Sequence, residues 1–483
     1  AELVVAGRLS GRGQAGQPIR FTTSTLSENR IWYGARLLAG SAVDMEYSQW
    51  DRAGFAFTGE IGPQGFFRLT DSVVRDMAGS GLSVTLSGEA DVERVLFTRI
   101  TGPALRVDGN GQMLLRQSRI EENGKEGMIL NNASLLALDV EIINNGLLDR
   151  EDPRAGLRAV GGKGQKIELR NASVERNSGY GIDLDDWLGQ AELHNSYVNS
   201  NYSDGVRVGK IERLVFEDVD VQRNLGAGVV VDSAYVDLGT SDMLGNVGPA
   251  LYLGPGSRGA IEMGHFGSGP GAIVEGVESL HVRTSHFENA PIGLQLIDST
   301  PVLEKNFFFG SAVGLRVEGS RVPSVLRANV FVDNATALEN KTGLLLQASG
   351  NYWGTADSTA ISSLIRGAVN FSDFLLEEPD PTAVDKGESG PLRFALGLGY
   401  PNPFNAGVTI PFELAYQVRA TLLVYDVLGK NIATLVDREL SGGSHSVVWD
   451  GLDQWGQTAA SGAYFYRLRA DDFTAQGRIL LLR

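Results

Sequence analysis

Cysteine is absent from the 483-residue sequence, which removes disulfides, thiolate metal sites and thiol nucleophiles together. Histidine is scarce, and His194, His265, His281, His286 and His445 fall without the spacing of a zinc motif. Only eight lysines stand among the 42 basic residues, and the formal charge is −16. With no basic stripe to follow a phosphate backbone, nucleic acid is not an expected partner. No apolar run reaches 18 residues, so no membrane insertion is expected. No secretory signal is recognisable and residue 1 already lies in a strand-like segment; the sequence reads as a mature form whose export signal has been removed.

Short alternating segments with glycine at their openings fill most of the chain. Gly181-Ile182-Asp183-Leu184, Gly205-Val206-Arg207-Val208 and Gly228-Val229-Val230-Val231 open successive units 24 and 23 residues apart. Periods this short, built from β-branched residues, mean a solenoid of β coils. Asparagine stands four residues before the opening glycine at Asn123, Asn177, Asn201, Asn224 and Asn289, and Asn246 stands likewise before Ala250. Asparagine tolerates the left-handed conformation of a sharp corner, and its amide can bond the next one when corners stack. These six residues are expected to form an internal ladder.

The pattern resembles the right-handed parallel β-helix, the fold of pectate lyases, polygalacturonases and many bacterial surface proteins. The expected fold class is therefore all-β: a right-handed parallel β-helix over 1–376, followed by a small immunoglobulin-like sandwich. Residues 377–391 are acidic, contain proline and read as a linker. Between Leu147 and Pro153 a charged loop bulges from one corner. Over 392–483 the period changes, with six strand candidates between Thr409 and Leu482 separated by Gly or Asp turns.

This last segment carries the most specific motif. Tyr400-Pro401-Asn402-Pro403-Phe404-Asn405 is followed by Trp449-Asp450-Gly451 and by Gly462-Ala463-Tyr464. Their order resembles the C-terminal sorting domain of type IX secretion cargo, itself related to the immunoglobulin-like domain of flagellar hook-capping proteins. The resemblance implies recognition by type IX secretion machinery and a secreted, extracellular or cell-surface location. Physically, Trp449 and Tyr464 are expected to fill the sandwich core, and Asp450 to make a turn.

On the solenoid, Asp183, Asp185 and Asp186 share one coil, and Asp204 precedes the next opening. If Ile182 stacks on Leu157 and Val206, Asp183 lies between Arg158 and Arg207 on an outward face. Paired carboxylates of this kind can place an acid and a base about a sugar, or hold calcium; a column of alternating charge also simply neutralises an exposed face. Trp187 beside them is a candidate sugar platform. The signature phrases of polygalacturonases are missing, and no cofactor is implied unless calcium sits on that face. The expected function is thus a non-enzymatic surface or extracellular structural protein, an adhesin or a self-assembling filament subunit. The alternatives are a polysaccharide lyase or glycoside hydrolase acting on acidic or plant and algal glycans, and a carbohydrate-binding module without turnover.

Overall fold

The computed structural model describes residues 1–23, 32–147 and 154–379, and in the C-terminal part 395–396, 404, 407–414, 418–426, 429–440, 443–453, 458–471 and 473–481. The chain divides into two compact units, Ala1–Pro381 and Thr382–Arg483. All of the expected 147–153 loop but Leu147, and most of the 377–391 linker, lie outside the described residues.

The first unit is a β-solenoid of about 14 turns whose strands pair parallel and in register. One coil shows the rule. Met128–Asn131, Ser134–Leu138 and Glu141–Ile143 form its first, second and third faces, and each lies on the matching strand of the coil before: Leu105↔Met128, Gln112↔Ser134 and Arg119↔Glu141. Side chains alternate across a strand, so Met128 and Leu130 are buried while Ile129 and Asn131 face outward. The inward residues of all coils join into one apolar core.

Corners decide what the third face looks like. Most third strands are bracketed by two non-glycine residues in the left-handed region: Asp139 (φ 56°) and Asn144 (φ 55°) around Glu141–Ile143, Asn171 (φ 52°) and Arg176 (φ 53°) around Ser173–Glu175. Such residues cost roughly 1–2 kcal/mol each, and Asn and Asp tolerate them best. The fold's own demand thus places Asp139, Asn171, Asn195 and Asp218 in one row beside the third face.

Immediately after the second corner runs the asparagine ladder. Asn177 donates its backbone N–H and its Nδ2 to Oδ1 of Asn201, both at 3.0 Å, and Nδ2 also donates to the carbonyl of Ile142 at 3.1 Å. The same bonding links Asn123, Asn145, Asn177, Asn201, Asn224 and Asn246 without a break. Two details differ from the sequence reading. The left-handed residue is the one before each asparagine, such as Arg176, Ser200 and Arg223; the ladder asparagines supply the amides that satisfy buried backbone groups. Asn289 is not in the ladder. It is itself the left-handed residue (φ 50°) and is exposed, because its coil is one residue shorter between corner and opening and Ala290 takes the inward place. A separate column, Asn306, Asn329 and Asn351, spans the last coils at the other corner.

Toward its C-terminal end the core becomes an aromatic stack, Phe266, Phe287, Phe308, Phe331 and Trp353, with centroids 4.6–5.1 Å apart. A short helix, Ser358–Leu364, follows; the Asp357 carboxylate caps it by accepting from the Thr359 N–H at 2.9 Å, and Ile361 is buried.

The second unit is a small antiparallel sandwich. One sheet holds Ala395–Leu396, Val408–Leu414 and Gly443–Trp449; the other orders Asn431–Leu440, Val418–Tyr425, Gly462–Ala470 and Phe473–Leu481. Trp449 joins the core between Phe404 (5.5 Å) and Tyr464 (4.9 Å). Its indole N–H donates to the Leu452 carbonyl at 2.8 Å, and the Tyr464 hydroxyl donates to the Ala460 carbonyl at 2.8 Å.

Candidate functional site

On the first face the stacking is Leu157↔Ile182↔Val206, with Asp183 between Arg158 and Arg207. Asp183 lies 3.7 Å and Asp186 3.9 Å from the Arg158 guanidinium, and Asp185 pairs with Arg207 at 3.0 Å. Arg207 also donates to the Tyr180 hydroxyl at 2.7 Å. Burial pushes the Asp183 carboxyl up, while the N–H of Asp185 and the two arginines pull the other way. Asp183, Asp185 and Asp186 each therefore have a guanidinium within reach, the arrangement that neutralises an outward column.

Two residues named with this face are not on it. Trp187 is fully buried (0% exposed). An extra residue bulges at this point, since Arg158 pairs with Asp183 but Val160 with Asp186, and the bulge turns the indole inward. Gly162 leaves room for it, because a Cβ there would lie 2.0 Å from the ring. Trp187 cannot stack on a sugar. Asp204 accepts from the Ala227 N–H of the next coil at 2.7 Å, so it locks a corner.

The third face carries the larger constellation. Successive coils set Tyr197, Asp220, Asp242, His265, His286 and Phe307 in register in one outward column. Beside it runs the corner row Asp139, Asn171, Asn195 and Asp218. The corner row and the first three members of the column, Tyr197, Asp220 and Asp242, line a cleft of about 660 Å³ together with Glu141 and Ser173. The Asp220 carboxyl is pushed above the usual carboxylate range, first by burial and then by the negative charges of Asp242 and Asp218. His265 lies 3.4 Å from Asp242 and 3.1 Å from Glu288. Its ring meets His286 edge-on at 6.0 Å, and His286 stacks on Phe307 at 4.7 Å. Burial and the neighbouring His265 hold the His286 ring below its ordinary range.

Two stacked carboxyls, one biased toward its protonated form, can divide the roles of acid and base. Strands stack about 4.8 Å apart, close to the roughly 5 Å between the carboxyls of a retaining glycosidase. Half-exposed Tyr197 (50%) offers an apolar ring beside them. Sequence reasoning passed over this column, although a signal exists: Asp220, Asp242, His265 and His286 recur at steps of 22, 23 and 21 residues, each just before an inward residue.

A family model described as "Right handed beta helix region" matches residues 60–210, and one described as "FlgD Ig-like domain" matches 404–472. The first unit thus has the parallel β-helix fold, and the second is similar to the FlgD immunoglobulin-like domain over the matched residues. No curated protein matches in sequence. Among solved structures, the β-helix chain is similar to the tailspike protein gp49 from Pseudomonas phage LKA1 at 10% identity, covering 96% of this chain and 91% of that one with a TM-score of 0.35. It is also similar to the periplasmic alginate epimerase AlgG (13%, 70% and 76%, 0.28) and to the mannuronan C-5 epimerase AlgE6 A-module of Azotobacter vinelandii (12%, 78% and 91%, 0.23). Likeness at this level carries nothing about activity.

Of the C-terminal motif residues, Phe404, Trp449 and Tyr464 meet in the sandwich core. Asp450 accepts from the Leu452 N–H at 3.0 Å, Gly451 takes φ 73°, and Gly462 opens a strand. Tyr400, Pro401, Asn402, Pro403 and Asn405 lie outside the described residues.

Proposed function

We propose that the β-helix is an extracellular protein that binds a polysaccharide along its third face and acts on it through Asp220 and Asp242. The observation that carries this reading is Asp220 itself: a carboxyl pushed up by partial burial and then by two neighbouring carboxylates, in a cleft that also offers a half-exposed tyrosine. The first-face cluster is the weaker candidate because its carboxylates are already met by Arg158 and Arg207. The test is a glycan array with the full chain, followed by turnover assays on the polysaccharides that bind, reading new reducing ends for hydrolysis and unsaturated products for lyase chemistry. Asp220→Asn should keep binding and lose turnover. A blank array returns the solenoid to the structural reading, an adhesin or filament subunit, which light scattering across a wide concentration range would then test.

A second reading concerns the C-terminal unit. We infer that it is a type IX sorting domain, supported by the way Phe404, Trp449 and Tyr464, distant in sequence and all members of the motif, pack as one cluster. Residues 392–483 fused to a reporter should direct it out of a type IX-secreting bacterium. Retention of the reporter inside the cell would reject the assignment.

A further inference from the structure

On the second face, away from the cleft, three metal-ligating side chains converge on a cation. Glu168 stacks on Glu192, and Arg170 on His194 and then Glu217. The Nζ of Lys166 sits between the two carboxylates, 2.8 Å from Glu168 and 2.7 Å from Glu192. Ligand atoms of Glu168, Glu192 and His194 all lie within 4.8 Å of one another.

His194 points this cluster toward a ligand. Its side chain is only 12% exposed, and its Nδ1 is held 2.9 Å from the Glu217 carboxylate. Its Nε2 has no hydrogen-bond partner and is buried, 3.5 Å from Glu192. A metal-ligating histidine is typically fixed in this way, with one ring nitrogen on a carboxylate and the other facing the ion. Glu168 is likewise oriented from behind by Arg170, at 2.5 Å.

We propose that Glu168, Glu192 and His194 bind a divalent transition-metal ion of the zinc type, with Lys166 as its built-in competitor. Two carboxylates and one imidazole suit zinc better than calcium or magnesium, which prefer oxygen alone. The ammonium occupies the focus of the site, but Lys166 is 41% exposed on a flexible stem and can swing into water. A bound ion would tie two coils together and pin the strand Gln190–Asn199, whose far end carries Tyr197 of the third-face cleft.

Calorimetric titration of the full chain with zinc chloride tests this. Lys166→Met should bind one zinc ion about tenfold or more tighter than the unmodified chain, because a like charge has left the site. In that background His194→Gln should abolish binding, and Glu217→Gln should weaken it about tenfold through loss of the support behind the imidazole. Lys166→Gln repeats the test with a polar side chain, and thermal unfolding verifies that each variant is folded. Zinc binding that is no tighter without Lys166, or that survives His194→Gln, overturns the proposal.

Discussion

Asp220 and Asp242 stand directly above one another on the third face, and the charge of Asp242 adds to burial in keeping Asp220 biased toward its protonated form. This bias has a sign that stability measurements can read. A carboxyl whose folded pKa is raised penalises the folded state when it is ionised; the penalty is full above the folded pKa and vanishes below the unfolded value of about 3.9. Asp220→Asn should therefore be more stable than the unmodified chain at neutral pH, and the gain should shrink as pH falls through the window between the two values. Urea unfolding at several pH values measures it. A gain that grows toward acid pH would show the opposite shift.

The asparagine ladder should be intolerant of truncation. Asn201 donates to Asn224 and to the Val174 carbonyl and accepts two bonds from Asn177. Asn201→Ala leaves several buried groups unsatisfied and should cost about 2–4 kcal/mol. Asn289→Ala, on an exposed corner, should cost far less, since its only special demand is the left-handed backbone. Denaturation midpoints compare the two, and equal losses would contradict the ladder as drawn.

Trp187 separates packing from recognition. Its buried ring fills the space over Gly162, so Trp187→Ala should destabilise the solenoid by about 3–5 kcal/mol. Whatever fraction remains folded should keep its glycan affinity. Loss of affinity without loss of stability would return the indole to the binding surface.

Tyr197 makes the converse case. It is half-exposed and belongs to no core, so Tyr197→Ala should lower glycan affinity roughly fivefold to tenfold through loss of one stacking ring, with little change in melting temperature. An unchanged affinity would remove the third face as the binding surface.

How much was legible in the sequence follows from which contacts are local. Period, alternation and glycine openings give the solenoid and its first-face register, because each depends on residues within one coil. Asn145 escaped the ladder because the loop that follows it breaks the four-residue spacing to the next glycine. Trp187 was misplaced because alternation alone does not reveal a one-residue bulge. The third-face column was missed for a different reason. Its residues lie near the ends of long strands, as Tyr197 in Gln190–Asn199 and Asp220 in Val206–Asp220, or on short ones such as Ser241–Leu244 and His286–Glu288, so alternation does not mark them as one face and they become a site only when several coils are stacked.

The most direct measurement is a crystal structure of Asp220→Asn soaked with the oligosaccharide that binds tightest on the array. The proposal predicts a sugar ring against Tyr197 with the chain passing Asp242 on the third face. Density over Asp183 on the first face, or none at saturating ligand, would contradict it.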